Sequence, residues 1–287
     1  MKGHFVPEFF LRRFRARGGN LWVYIHGEGW KRRGSSDTAA EQDYYSPELE
    51  QAYHKIETSA ANILDKTVYK HQPPTGERRK VLAYFLALLQ LRTPTFYENL
   101  SKPLSEMMYM VNSMYHQFYS GNPEKFEEMK REMAQKGQPL PDWFKPEHLD
   151  PKPFQISPTK DLVFGTGLQA AETSAGIVNA MTWNFLTTSA SSPFITSDNP
   201  FVYSNIDNGQ HTGAGLGHPR TQVTVPLSLT VALVAELPKG HENVFLAVDE
   251  TWVEQVNLRV MSGSDKFVVS STQHFPGVQR LATMVRT

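Results

Sequence analysis

Apolar residues recur along this chain at two different spacings, and the change of spacing divides it. From 47 to 69, Leu49, Tyr53, Ile56, Ala60, Ile63 and Thr67 return every three or four residues, which is the period of one helix face. Ser46 supplies an N-cap ahead of it and Pro47 a fixed first turn. The pattern predicts a second helix over about 77–91, apolar nearly all round and therefore central, that ends before Pro94. Helical spacing continues over 95–136, carrying Met107, Met108, Met110 and Met114, a stripe expected to fill a core rather than grip a partner helix, and then the charged run from Glu124 to Glu132, expected to be a solvated face. Six prolines between 137 and 158 make that stretch a connector. One more helix is expected over 160–180. Beyond it come short apolar or alternating runs at 181–189, 194–196, 201–204, 222–226, 231–236 and 244–248, which read as strands. A helix over 250–262 and a strand over 266–270 follow. Near the start, 7–14 reads as a short helix or turn and 21–25 as a strand. Gly18-Gly19-Asn20 turns between them, and the residues before Tyr44 form a second strand or a loop. Helices and strands occupy separate stretches, which predicts an α+β fold. Its helical N-terminal half packs against a mostly antiparallel sheet from the C-terminal half. One domain is expected over 1–287, with a helical, proline-rich variable insertion at about 95–158.

Two polar segments interrupt this pattern. The first is His4-Phe-Val-Pro7, followed by Phe10, Leu11 and Phe14, which sets a titratable side chain at the head of an apolar and basic run. The second is Thr196-Ser-Asp-Asn-Pro200, which delivers Asp198 and Asn199 at the end of an apolar strand. Together with Leu21-Trp-Val-Tyr24, Tyr45-Ser46, Glu50, Glu57, Gln90, Arg92-Thr-Pro94, Pro226-Leu-Ser228, Asn257 and Ser270, these segments resemble the domain-of-unknown-function 4238 family. That family consists of mostly bacterial proteins and has no accepted activity. The resemblance spans most of the chain outside roughly 100–155, where length is free to vary. It implies positions that recur, Glu57 among them, and lends no catalytic roles.

Composition narrows the classes. With 287 residues and 40% hydrophobic content the chain can bury a large core. Its 29 basic and 29 acidic residues cancel, so no global field selects nucleic acid or an acidic membrane. The absence of cysteine excludes disulfides, thiolate metal sites and a cysteine nucleophile. Pro7, Glu8, Arg12 and Arg13 interrupt any signal-peptide core, and the apolar run 81–91 is shorter than the roughly twenty residues a span requires. A cytoplasmic protein without membrane insertion is therefore expected. The glycine-rich 209–217 superficially suggests phosphate binding, but it lacks the strand-to-helix context of a nucleotide fingerprint and reads as a plain loop.

The chemistry must come from scattered polar residues. Glu50, His54 and Glu57 fall at i, i+4 and i+7, on one stripe bordering the apolar face of the 47–69 helix. Such a stripe is common on solvated helices, and it also suits proton transfer or a divalent metal. Arg92, at a helix C-terminus, either complements the helix dipole or binds a carboxylate or phosphate. Asp198 and Asn199 are good turn residues as well as candidate ligands. His4 serves as base, acid, ligand or structural donor. The expectation is that His4, Glu57, Arg92 and Asp198 converge as catalytic residues where the helical and sheet halves meet. Glu57, Asp198 and His4 would hold Mg, Mn or Zn, with Asn199, Arg12 and Arg13 binding substrate. That set fits metal-dependent hydrolysis of a phosphodiester or nucleotide-type substrate, as in a nuclease, with Arg92 steadying the developing anion and nearby basic residues meeting phosphates. Metal-free glycosyl or ADP-ribosyl transfer uses the same residue types. A third reading is a non-enzymatic binding module, in which the polar residues form a structural network and the Met- and Tyr-rich 95–120 helices grip a protein partner.

Overall fold

The computed structural model describes residues 2–16, 19–206, 215–237 and 243–283. In chain order the elements are β1 (Lys2–His4), α1 (Glu8–Leu11), β2 (Leu21–Ile25), β3 (Gly29–Arg33), β4 (Ala40–Gln42), α2 (Pro47–Lys70), α3 (Gly76–Leu91), α4 (Pro94–Gly121) and α5 (Pro123–Gln135). Then follow α6 (Lys160–Ala180), β5 (Thr182–Thr187), β6 (Thr196–Ser197), β7 (Val202–Asn205), β8 (Thr221–Pro226), β9 (Val231–Glu236), β10 (Phe245–Ala247), α7 (Glu250–Gly263) and β11 (Phe267–Ser270). Helices dominate the first half and strands the second, and the fold is α+β. The expected turn at Gly18–Asn20 and the glycine-rich loop at 209–217 fall partly outside the described residues. Among those described, no helix is long and apolar enough to cross a membrane.

The chain forms two compact units, Met1–Phe96 together with Phe164–Thr287, and Tyr97–Val163. In the first unit a five-stranded sheet runs in the order β10-β5-β9-β8-β7, antiparallel except for the β10–β5 pair. A four-stranded antiparallel sheet has the order β3-β2-β11-β6. A third, two-stranded pairing joins β1 to β4, with His4 opposite Ala40. Strands β3 and β4 fall in the stretch before Tyr44 that was expected to hold a second strand or a loop, whereas β1 was not anticipated, because so short a run carries no period of its own.

The helices form for local reasons that position the site. The Ser46 hydroxyl accepts from the Leu49 N–H at 3.4 Å and Pro47 opens α2. One face of α2 buries Tyr53, Ala60, Ile63, Leu64 and Val68, which leaves Glu50, His54 and Glu57 at its border. Helix α3 is buried nearly all round from Leu82 to Leu91. Gly167 of α6 lies so close to its end that a Cβ there would meet the Leu91 carbonyl oxygen at 2.8 Å, which fixes the exit of α3 just before Arg92. In α7, the fully buried Asn257 accepts from the Ile195 N–H and donates to the Pro193 and Pro276 carbonyls, so one side chain satisfies three otherwise orphaned backbone groups.

The second unit holds most of α4, then α5 and the proline-rich stretch. The helical run expected over 95–136 is broken: Asn122 leaves helical geometry at φ −140° and Pro123 starts α5 at its first position. A residue before proline is pushed out of the helical region, which explains the break. Phe126 is buried and packs edge-on to Tyr119 at 5.6 Å, closing the α4–α5 hairpin.

Candidate functional site

The N-terminal segment, α2 and the exit of α3 enclose an open cavity of about 460 Å³ in the first unit. Its polar lining comes from His4 at the end of β1, Glu8 and Arg12 beside it, Glu50, His54 and Glu57 on α2, and Arg92 after α3. The helical stripe continues around the wall through Thr58, Ala61 and Asn62.

Arg92 is the floor of this cavity, with 2% of its surface exposed. Its Nη1 donates to Glu57 Oε1 at 2.6 Å and its Nη2 to the His4 carbonyl oxygen. The guanidinium carbon lies 4.6 Å from the Tyr53 ring centre and 5.7 Å from that of Tyr45. Tyr45 returns a hydrogen bond from its hydroxyl to the Arg92 carbonyl at 3.0 Å. Burial opposes the cation, but its surroundings, with Tyr45 and Tyr53 packed beside it and the Glu57 carboxylate paired with it, more than offset that, and its pKa moves up. Burial likewise pushes the Tyr45 phenol well above its ordinary value and Tyr53 up to about 12, so both remain neutral. A single planar side chain thus ties three separate parts of the chain together, a geometry a lysine does not reproduce.

Glu50 is in a different state. Its Oε2 is enclosed and accepts no hydrogen bond, and burial, before any other influence, raises its pKa. Glu57 nearby raises it further, while Arg92 and His54 pull it down. Glu8 moves the other way: burial would raise it, but hydrogen bonds from Arg12 at 2.8 Å and Ser35 at 2.8 Å hold it below its usual value. One cavity therefore holds a carboxyl group whose pKa burial shifts upward and two others engaged by guanidinium groups.

Three of the four residues expected to converge, His4, Glu57 and Arg92, line this cavity, and so does Arg12. Asp198 lies elsewhere. It is 2% exposed and its two oxygens accept the backbone N–H groups of Asp265 and Lys266, so the carboxylate closes the turn between α7 and β11. Burial lifts its pKa to about 6 in spite of those donors. Asn199 supports the same turn by donating to the Gly263 carbonyl at 3.1 Å. Arg13 faces inward, paired with Asp65 at 2.6 Å and bonded to the Phe9 and Ala61 carbonyls. The metal set Glu57, Asp198 and His4 is corrected accordingly: Asp198 is spent on a turn, and among the described residues no three His, Asp or Glu side chains form a group that would hold a metal ion. Glu8 was missed. Its position behind Pro7 marked a helix start, yet only the folded N-terminus brings it to α2.

Fold and site define an α+β protein with a buried arginine clasp beneath an open, carboxylate-rich cavity. The family described as protein of unknown function (DUF4238) matches residues 2–274, and the chain belongs to that family. No curated protein and no solved structure matches the chain.

Proposed function

We propose that the cavity is the site of metal-independent transfer or hydrolysis at a glycosidic bond, with Glu50 as the acid. The observation that carries this reading is the pairing on the cavity wall of Glu50, whose carboxyl burial shifts to a higher pKa, with Glu57, whose carboxylate Arg92 engages. Two carboxyl groups whose surroundings differ are the recurring sign of an acid–base pair. Glu50 and Glu57 are seven residues apart on one helix face, about 10 Å along the axis. Glu50 gives its proton to the leaving group as the glycosidic bond breaks. Glu57 takes a proton from the attacking water or acceptor hydroxyl through Oε2, because Arg92 engages only Oε1. Carboxylates and imidazoles suit a neutral, hydroxyl-rich substrate. A phosphodiester would meet Glu8, Glu50 and Glu57 with both cavity arginines already paired, Arg92 with Glu57 and Arg12 with Glu8, so metal-dependent phosphodiester hydrolysis is the weaker reading of this geometry.

The commitments of Arg92 also favour a second reading, a structural network in a non-enzymatic binding module. One experiment separates them. Wild type and Glu50→Gln are assayed on a panel of aryl glycosides, nucleosides and NAD, with and without EDTA. EDTA-resistant turnover lost in Glu50→Gln is the expected result. Turnover that EDTA abolishes and Mg, Mn or Zn restores returns the site to metal chemistry. No turnover on any substrate, with no binding heat in calorimetry, leaves the structural network.

A further inference from the structure

The second unit keeps an unusual share of its large apolar side chains in water, and they are ordered on α4. Met107, Met110, Val111, Met114 and Phe118 are each between 41% and 63% exposed. At 100° per residue these five fall within a stripe about 100° wide, and Leu100 and Leu104, half-buried, extend it one turn at a time toward the N-terminus. The opposite side carries Glu98, Lys102, Ser105, Ser113 and His116. The hairpin partner α5 packs along a neighbouring flank, through Tyr119.

We infer that this stripe is a self-association surface, in which α4 pairs with α4 of a second copy of this chain about a two-fold axis near Met110 and Met114. Two features select a second copy over another partner. Between Glu106 and Glu124 there is no Asp, Glu, Lys or Arg, so the face offers no charge by which a different protein would be recognised and steered. A two-fold axis sets a residue against its own kind, and an uncharged seam is the kind that survives this without repulsion. Size agrees as well. Five half-exposed side chains present on the order of 500 Å², and the flanking Leu100, Leu104 and Tyr115 carry the patch toward the roughly 800 Å² per partner of a stable interface. Methionine, flexible and polarisable, fills such a seam without demanding one exact mate.

Light scattering on the full chain tests this. The expected mass at about 50 μM is twice the 32.5 kDa of one chain. The double variant Met110→Glu/Met114→Glu should run as a monomer with an unchanged melting temperature, while Tyr109→Glu, on the far side of the helix, should stay dimeric. Should the double variant fail to fold, Met114→Cys provides a second readout: in this cysteine-free chain, mild oxidation should yield a disulfide-linked dimer on a denaturing gel. A monomeric wild type overturns the inference, as does a dimer that survives Met110→Glu/Met114→Glu. A monomer that instead sediments with anionic vesicles identifies a membrane-surface helix and overturns it equally.

Discussion

Arg92 and Asp198 are both charged side chains taken out of water, each 2% exposed, and both belong to segments that stand out in the sequence. They do opposite things. Arg92 sits under an open cavity and joins side chains from α2 to a backbone carbonyl at the chain's start, leaving Glu50 and two histidines above it. Asp198 is sealed: it is 2% exposed and its oxygens turn back onto two backbone N–H groups. A buried charge is therefore no sign of chemistry by itself. What distinguishes a site is whether the group's neighbours line an open cavity, and of these two regions the one around Arg92 does.

The comparison breaks most visibly at Arg92. Arg92→Met strands the Glu57 carboxylate and frees the N-terminal segment, so a loss of about 3–5 kcal/mol is expected in urea unfolding. The double variant with Glu57→Gln should recover part of that loss, because no unpaired charge is then left. A loss below about 1 kcal/mol would mean that the clasp does not hold the cavity together.

Asp198 sharpens the contrast through pH. Its folded pKa of about 6 lies above the ordinary 3.8, so between those values the folded chain holds a proton that the unfolded chain has released. Stability from this group is complete below about 4 and is lost as pH rises toward 6 and above. Two pKa units correspond to at most about 3 kcal/mol. Asp198→Asn, which cannot ionise, should abolish that slope. If wild type and variant differ by a constant amount from pH 4 to 7, Asp198 does not titrate there. Glu50→Gln should behave differently from both: it removes an ionisable carboxyl without breaking a hydrogen bond at Oε2, so the melting temperature should stay within a few degrees while activity is lost.

Much of this contrast was legible in the sequence, and the illegible part has a physical cause. The period of α2, the Ser46 cap and the carboxylate stripe are local, and they predicted which side chains would border the core. Arg92 at a helix exit was open to either role, and its buried partner Glu57, 35 residues earlier, decides it. Asp198 could not be read, because Ser-Asp-Asn-Pro looks the same whether its carboxylate faces a cavity or a turn 67 residues further on. Periodicity reports which face of an element is buried, and it says nothing about which distant backbone group needs an acceptor.

The smallest expected effect tests the same distinction between neighbours one residue apart. Arg12 and Arg13 were taken together as basic candidates, yet the Arg12 side chain is 57% exposed and pairs with Glu8 along one helical turn, while that of Arg13 is 6% exposed and pairs with Asp65. An exposed i,i+4 pair contributes about 0.5 kcal/mol or less, since water screens it and two long side chains must be ordered to form it. Arg12→Ala should therefore leave stability nearly unchanged, while Arg13→Ala leaves the Phe9 and Ala61 carbonyls without their donor and should cost roughly 2 kcal/mol. If the cavity binds a ligand, the ranking reverses in a binding assay: Arg12, on the cavity wall, weakens binding and Arg13 does not. Equal effects of the two substitutions in both assays would show that the N-terminal segment acts only as a plug over α2, and the case for a ligand there would fall with it.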